Sequence, residues 1–268
     1  MSRPGHERDP AATVAAAANA GAGAGAGIGS DCEEADVFTA SDAYAARFRG
    51  SAGAWFLDRQ AQSALALLAD LPPGGLLLDV GGGHAQLAPA LLHAGHRLLV
   101  LGSRPEAARR LTPFLADGRV SFETGSLCEL PHESRSFDAV LCFRLLPHVS
   151  DPERLLGELC RVARRSVLFD YPSSRSFNRI ARETFPVKRR IEGNTRPYRV
   201  FSPAAIERML DAHGYQVREA RPQFVLPMVF HRMHGSAAIG RLLERPGRAV
   251  GLLARFGSPV IVRADRRG

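Results

Sequence analysis

Lysine is almost missing from this sequence: 34 of the 35 basic residues are arginine, and Lys188 stands alone. Alanine and glycine are abundant too, so the formal charge of +8 follows much of the overall composition. It allows anionic partners but is weak ground for a nucleic-acid function. Cysteine is scarce and forms no CxxC pair. Cys32, Cys128, Cys142 and Cys160 sit mostly among apolar neighbours. That pattern argues against zinc and reads as free, mostly buried thiols in a reducing, cytoplasmic compartment. No apolar run approaches the ~20 residues of a membrane span. A basic start with a long apolar core, the mark of a secretory signal, is also missing. With 268 residues and 45% apolar content, the chain can still bury the core of one domain with additions.

Residues 1–35 form an Ala/Gly-rich tail without anchoring hydrophobes, which reads as disordered. The acidic cluster Asp31, Glu33, Glu34 and Asp36 is expected to solvate its junction with the ordered part. Residues 36–75 read as an N-terminal helical cover. Phe38, Tyr44, Phe48, Trp55, Phe56, Leu65, Leu67 and Leu68 recur at spacings that suit two helices broken around Gly50–Gly53. Tyr44 and Trp55 either pack these helices on a sheet or cover a ligand.

The ligand idea comes from Leu76–Leu87, LLLDVGGGHAQL. A short apolar strand runs into Asp79, three glycines follow, and a helix-compatible LAPALL comes next. Gly81 and Gly83 can adopt backbone angles closed to other residues, and a following helix offers free N–H groups to a nucleotide-like ligand. From there the pattern alternates: strands at 76–80, 97–101, 119–123, 137–142 and 166–170, with helices at 85–93, at 104–116 and after Asp151-Pro152. Short apolar strands alternating with helices predict a parallel, doubly wound α/β core over residues 76–268. Two insertions interrupt it, at 172–201 and 223–257. Ser202-Pro203 opens an amphipathic helix, Tyr215–Arg221 reads as a strand, and Ser258–Ala264 reads as the last one. Residues 224–256 read as apolar helical material broken at Pro246-Gly247, suited to an apolar pocket or a homodimer contact.

Three segments make a family resemblance plain. LLLDVGGGHAQL is similar to the first motif of class I S-adenosylmethionine-dependent methyltransferases of the small-molecule type. GSLCELPHESRSFDAVLCFRLLPHVSDPERLLGELCRVAR resembles their adenine loop, fourth strand and next helix, and RSVLFDYPS their fifth strand. The resemblance implies a Rossmann-like methyltransferase fold, a mostly parallel seven-stranded sheet with a helical insertion before the last strand. It also implies S-adenosyl-L-methionine as cofactor and a small-molecule acceptor. Cofactor contacts would fall on Asp79, Gly81, Gly82, Gly83, Gly102, Ser103, Ser126, Leu127 and Phe143.

Departures from the family pattern cluster at the cofactor's polar contacts. The third glycine falls on Ala85. The carboxylate that usually accepts both ribose hydroxyls falls on Gly102, with Ser103 beside it, and the one that meets the adenine amino group falls on Ser126. An aspartate substituted at Gly102 is therefore expected to restore acceptors for the ribose. Three outcomes fit these losses: cofactor binding with help from other residues, a non-catalytic partner or regulator on the same fold, or another ligand in the same pocket.

For chemistry, methyl transfer needs an aligned nucleophile and, where it carries a proton, a base. His148, Arg144 and Tyr171 follow strands four and five, where the sheet opens to the ligand. His148 has the pKa range of a base, while Arg144 and Tyr171 suit an anionic or phenolic acceptor. Asp170 reads equally as a loop-capping carboxylate. Arg175, Arg179, Arg182, Lys188, Arg189, Arg190, Arg196 and Arg199 give a local excess of positive charge after strand five. They form either a solvated face or an entrance for an anionic acceptor. No known nucleic-acid reader motif accompanies them, which argues against a nucleic-acid partner.

Overall fold

The computed structural model describes residues 35–116, 118–176 and 199–268. The Ala/Gly-rich tail, and the basic segment between Arg175 and Arg199, lie outside the described residues. The strands are β1 (Leu76–Val80), β2 (Arg97–Gly102), β3 (Val120–Thr124), β4 (Phe137–Cys142), β5 (Ala163–Tyr171), β6 (Tyr215–Phe224) and β7 (Ser258–Arg266). They form one seven-stranded sheet in the order β3-β2-β1-β4-β5-β7-β6. The pairs from β3 to β5 are parallel, and β7 runs antiparallel to β5 and β6. The chain order reverses between β1 and β4, and in such sheets a ligand crevice opens at the carboxyl ends flanking that reversal.

Both faces of the central strands are buried, which is why they read as continuous apolar runs. Leu78, Val80, Val140, Cys142, Val167 and Phe169 share one core layer with helices Pro152–Val162 and Pro203–Asp211. Leu77, Leu98, Val100, Leu141 and Leu168 share the other with helices Gly50–Leu67 and Ala88–His93. Asp151 caps its helix by accepting from Arg154 N (3.0 Å), and Ser202 caps another through Ala205 N (3.1 Å). Arg263 of β7 donates to Leu67 O (2.6 Å), tying the end of the N-terminal helix to the sheet.

Several local expectations shift. The N-terminal helices break at Gly50, where φ is +71°, and the next helix runs straight through Gly53. A Cβ at Gly53 would lie 2.1 Å from the Phe48 backbone, so this glycine serves close packing rather than a break. Pro246 lies inside helix Ala237–Ala249, because the ladder resumes with Val250 N on Pro246 O (3.1 Å). Gly251, at φ +76°, ends it instead. The helix expected at 104–116 is a 3-10 turn (Pro105–Arg110) followed by Thr112–Leu115. Cys128 is disulfide-bonded, against the expectation of free thiols, whereas Cys142 and Cys160 are free and buried. A disulfide depends on proximity in space, which sequence spacing does not show.

The insertion between β6 and β7 starts and ends at neighbouring positions, since Phe224 pairs with Ser258. Its helices, Met228–His234 and Ala237–Ala249, dock on the N-terminal helix. Trp55 meets Phe224 at 5.0 Å and His231 at 5.4 Å between ring centroids. Trp55 is thus a packing residue. On the other side of the insertion, Met233, Leu242 and Val250 remain exposed.

Candidate functional site

The carboxyl ends of β1, β2, β4 and β5 converge on the glycine turn. Gly81 takes φ +72° and donates its N–H to Leu101 O (2.8 Å), which locks the turn to the end of β2. Gly82 and Gly83 are explained by the protein's own packing. A Cβ at Gly82 would fall 2.1 Å from the Asp79 carboxylate, and one at Gly83 would fall 2.3 Å from Ala107 O. Ala85 is left-handed at φ +57°, a conformation that favours glycine. This is why the helix starts at Ala88 rather than 85. Asp79 is buried beneath the turn, and that burial raises its carboxyl to about 7.

At the end of β2 the structure departs from the sequence reading. Gly102 has no room for a side chain: a Cβ would sit 2.9 Å from both Ala107 Cβ and the Phe122 ring. Asp36, expected to solvate the junction with the tail, is completely buried. It lies in helix Ala35–Ala40, and its carboxylate accepts from Ser103 N (2.7 Å) and Ser103 Oγ (2.5 Å). Its Cβ is 3.5 Å from the position of a Cβ on Gly81. The same segment is held from the other side. Arg110 donates to Ala40 O (3.0 Å) and pairs with Asp42 (2.5 Å).

A second group gathers after β4. Arg144 is left-handed at φ +61°, and its N–H donates to the buried Asp170 (2.6 Å), which therefore acts as a loop-holding carboxylate. Burial raises the Asp170 carboxyl, and the Arg144 N–H and guanidinium pull it back down. The Arg144 guanidinium lies 4.0 Å over the Phe48 ring and donates to Gln60 Oε1 (2.5 Å). Phe48 and Tyr44 both meet the His84 ring edge-on, at 5.5 and 5.8 Å. The N-terminal helices therefore do close over the glycine turn, through Tyr44 and Phe48.

This cluster carries buried polar atoms without protein partners: Arg144 Nη1, Gln60 Nε2 and both His84 ring nitrogens. Buried polar groups are normally satisfied, so several orphans packed together mark a place built to receive a ligand. Burial drives the His84 pKa down to about 4, helped by the Arg144 and Arg110 guanidiniums. At neutral pH the imidazole is uncharged and can donate and accept. Arginine, an amide N–H and a neutral imidazole together favour an anionic or hydroxyl-bearing group.

The remaining sequence candidates are Tyr171, His148, Leu127, Phe143 and Ser126. Tyr171 is packed against Phe201 and Phe169, and burial lifts its phenol to about 12. His148 is half-buried at the end of the 3-10 turn Leu146–His148 that follows β4. Leu127 and Phe143 are core residues, on opposite layers, and Ser126 is half-buried beside Leu127. Asp36, Gln60 and His84 escaped sequence reasoning. Only His84 carried a signal, since it interrupts the apolar continuation of a glycine turn.

Comparison with known proteins agrees with this architecture. Residues 78–169 match the family described as a methyltransferase domain. The chain is 32% identical over 95 residues to a ubiquinone biosynthesis O-methyltransferase of Hahella chejuensis, covering 34% of this chain and 40% of that one. It is 32% identical over 126 residues to an uncharacterized methyltransferase of Mycobacterium sp. (strain JLS), covering 44% and 49%. The matches thus span less than half the length of these relatives. Among solved structures, magnesium protoporphyrin IX methyltransferase from Synechocystis PCC 6803 with bound S-adenosylmethionine aligns with TM-score 0.59 and 18% identity. That alignment covers 91% of this chain and 100% of that one, and at this identity the likeness is one of fold. Among the described residues no helix is long and apolar enough to cross a membrane, and no group of residues could hold a metal ion.

Proposed function

We propose that this chain, with a methyltransferase domain at residues 78–169, moves a methyl group from S-adenosylmethionine to an oxygen of a small, partly anionic acceptor. The observation that carries this is the set of unpartnered donors, Arg144 Nη1 and Gln60 Nε2 with His84, beside a glycine turn at the carboxyl ends of the strands. The likeness to a ubiquinone biosynthesis O-methyltransferase favours oxygen as the acceptor atom.

The residues present suit the cofactor: the turn holds three glycines at the carboxyl end of β1, and His84, whose two ring nitrogens are buried without partners, follows them directly. When bound, the cofactor supplies an electrophilic methyl on a sulfonium. The chain's own part is to hold and to exclude water. Arg144 and Gln60 orient the acceptor's anionic or phenolic oxygen, and the Arg144 charge favours its deprotonated form. Phe48 and Tyr44 close the site from above. His148, at the end of the turn after β4, takes the proton from an acceptor that arrives protonated.

Isothermal titration of the full chain with S-adenosylhomocysteine, followed by methyl transfer to a panel of hydroxylated benzoates, tests this. Arg144→Met should raise the KM for a carboxylated acceptor at least about tenfold, the loss of one charge-assisted hydrogen bond. Absence of any binding at millimolar S-adenosylhomocysteine refutes the assignment.

A further inference from the structure

The geometry points to Asp36 as the carboxylate that grips the cofactor's ribose, delivered from the N-terminal helix to the end of β2. This rests on the methyltransferase reading above. The methyltransferase resemblance puts the ribose carboxylate at the end of β2, at the position of Gly102. Gly102 cannot supply one, because its backbone is wedged 2.9 Å from Ala107 and Phe122 wherever a Cβ would be. The Asp36 carboxylate occupies the neighbouring position, fixed by two donors on Ser103, the next residue.

Further observations separate this arrangement from a chance surface contact. Asp36 is fully buried, and a carboxylate is expensive to bury unless its environment is built for it. Its own carbonyl is engaged by Thr39 Oγ1 (2.9 Å), and Arg110 clamps the end of its helix at Ala40. Each carboxylate oxygen accepts one bond from Ser103 and retains a further lone pair, enough to accept from two hydroxyls. Ser103 thus changes role. It does not meet the ribose itself but holds the acid that does. Because Asp36 is fully buried within Ala35–Ala40, a ribose reaches its carboxylate only if that helix shifts. The carboxylate and the cover are then one element.

The test compares S-adenosylhomocysteine with its 2′,3′-dideoxy analogue, by calorimetric titration of the full-length wild type, Asp36→Asn and Ser103→Ala. The wild type should prefer the ribose form by about 10- to 100-fold, the weight of hydrogen bonds to a charged group. Asp36→Asn should weaken binding of S-adenosylhomocysteine by a similar factor and bind both ligands nearly alike, whereas Ser103→Ala should lose only part of the preference. A wild type that binds both ligands equally overturns the inference and leaves the methyltransferase reading standing. So does an Asp36→Asn variant that keeps the full preference. An Asp36→Asn variant that binds both ligands more tightly makes the helix a plug, and also overturns it. A wild type that binds neither ligand refutes the methyltransferase reading and the inference together. Should the variants fail to fold, the wild-type preference alone can refute.

Discussion

Substituting aspartate for Gly102 puts an acid where the family pattern carries one, and the structure says that it will fail. The first obstacle is the Cβ, which would stand 2.9 Å from Ala107 Cβ and from two atoms of the Phe122 ring. Carbon pairs prefer about 3.5–4.0 Å, so one of these groups must move. Ala107 is completely buried on the 3-10 turn, and only the Phe122 ring has freedom to yield. Overpacking of this kind costs about 1–3 kcal/mol. For a domain of this size, that lowers Tm by roughly 2–12 °C. The second obstacle is charge: the new carboxylate would share the end of β2 with that of Asp36, and two adjacent buried acids do not both ionise readily. Gly102→Ala isolates the first effect and Gly102→Asp adds the second. Thermal melts at pH 7.5 should show Ala below wild type and Asp below Ala. Titration should show weaker binding of S-adenosylhomocysteine to the Asp variant. Tighter binding by Gly102→Asp with unchanged Tm would refute both the packing argument and the placement of Asp36.

Two further substitutions probe buried carboxylates of opposite sign. Asp79, raised by burial to about 7, binds its proton more tightly folded than unfolded, so it makes stability fall as pH rises from about 4 to 7. Asp79→Asn should flatten that decline, by on the order of 4 kcal/mol across the window in urea titrations; an unchanged pH profile would count against it. Glu244 is depressed instead: burial opposes its charge, but His231 Nε2 (3.0 Å) and the N–H groups of Val225 (2.8 Å) and Leu226 (3.0 Å) outweigh it. Its contribution is present above the ordinary glutamate pKa and is lost as pH falls through the lowered one, so Glu244→Gln should cost about 2–4 kcal/mol at pH 7 and less in acid.

The middle of the sheet was legible because β1, β2 and β4 are short, largely apolar runs, and because SFDAV and the capped Asp151-Pro152 helix fix the spacing of the core. Helix ends were less so. Gly53 and Pro246 look like breakers, yet one packs against the Phe48 backbone and the other falls in the last turn of a helix, and composition alone does not tell these roles from a break. The site was half legible. Asp79, Gly81 and Arg144 stand at strand ends, where periodicity puts them. Asp36 is 67 residues from Ser103, and its acidic neighbours make it look like a solvated tail. Gln60 faces Arg144 across 84 residues and is one of several polar residues on its helix, next to Asp58, Arg59 and Gln62. Contacts of that range come from topology, and composition does not reveal them.

The pairing of Phe224 with Ser258 gives the insertion an unusual independence. Its two ends leave and rejoin the sheet side by side, as the two stems of a hairpin do, so the strands need not know how long the segment between them is. Loop-closure entropy grows only by about 0.6 kcal/mol for each doubling of length. The helices of the insertion touch the rest of the molecule through Trp55, Phe56 and Ser51 of the helix that also carries Gln60, and through β6, where Arg248 donates to Gln223 O (3.0 Å). Exchanging the insertion for another of similar docking face would leave the glycine turn and Asp36 untouched while shifting the helix that carries Gln60. The fold thus lets one segment change its length and sequence without disturbing the strand ends around the turn.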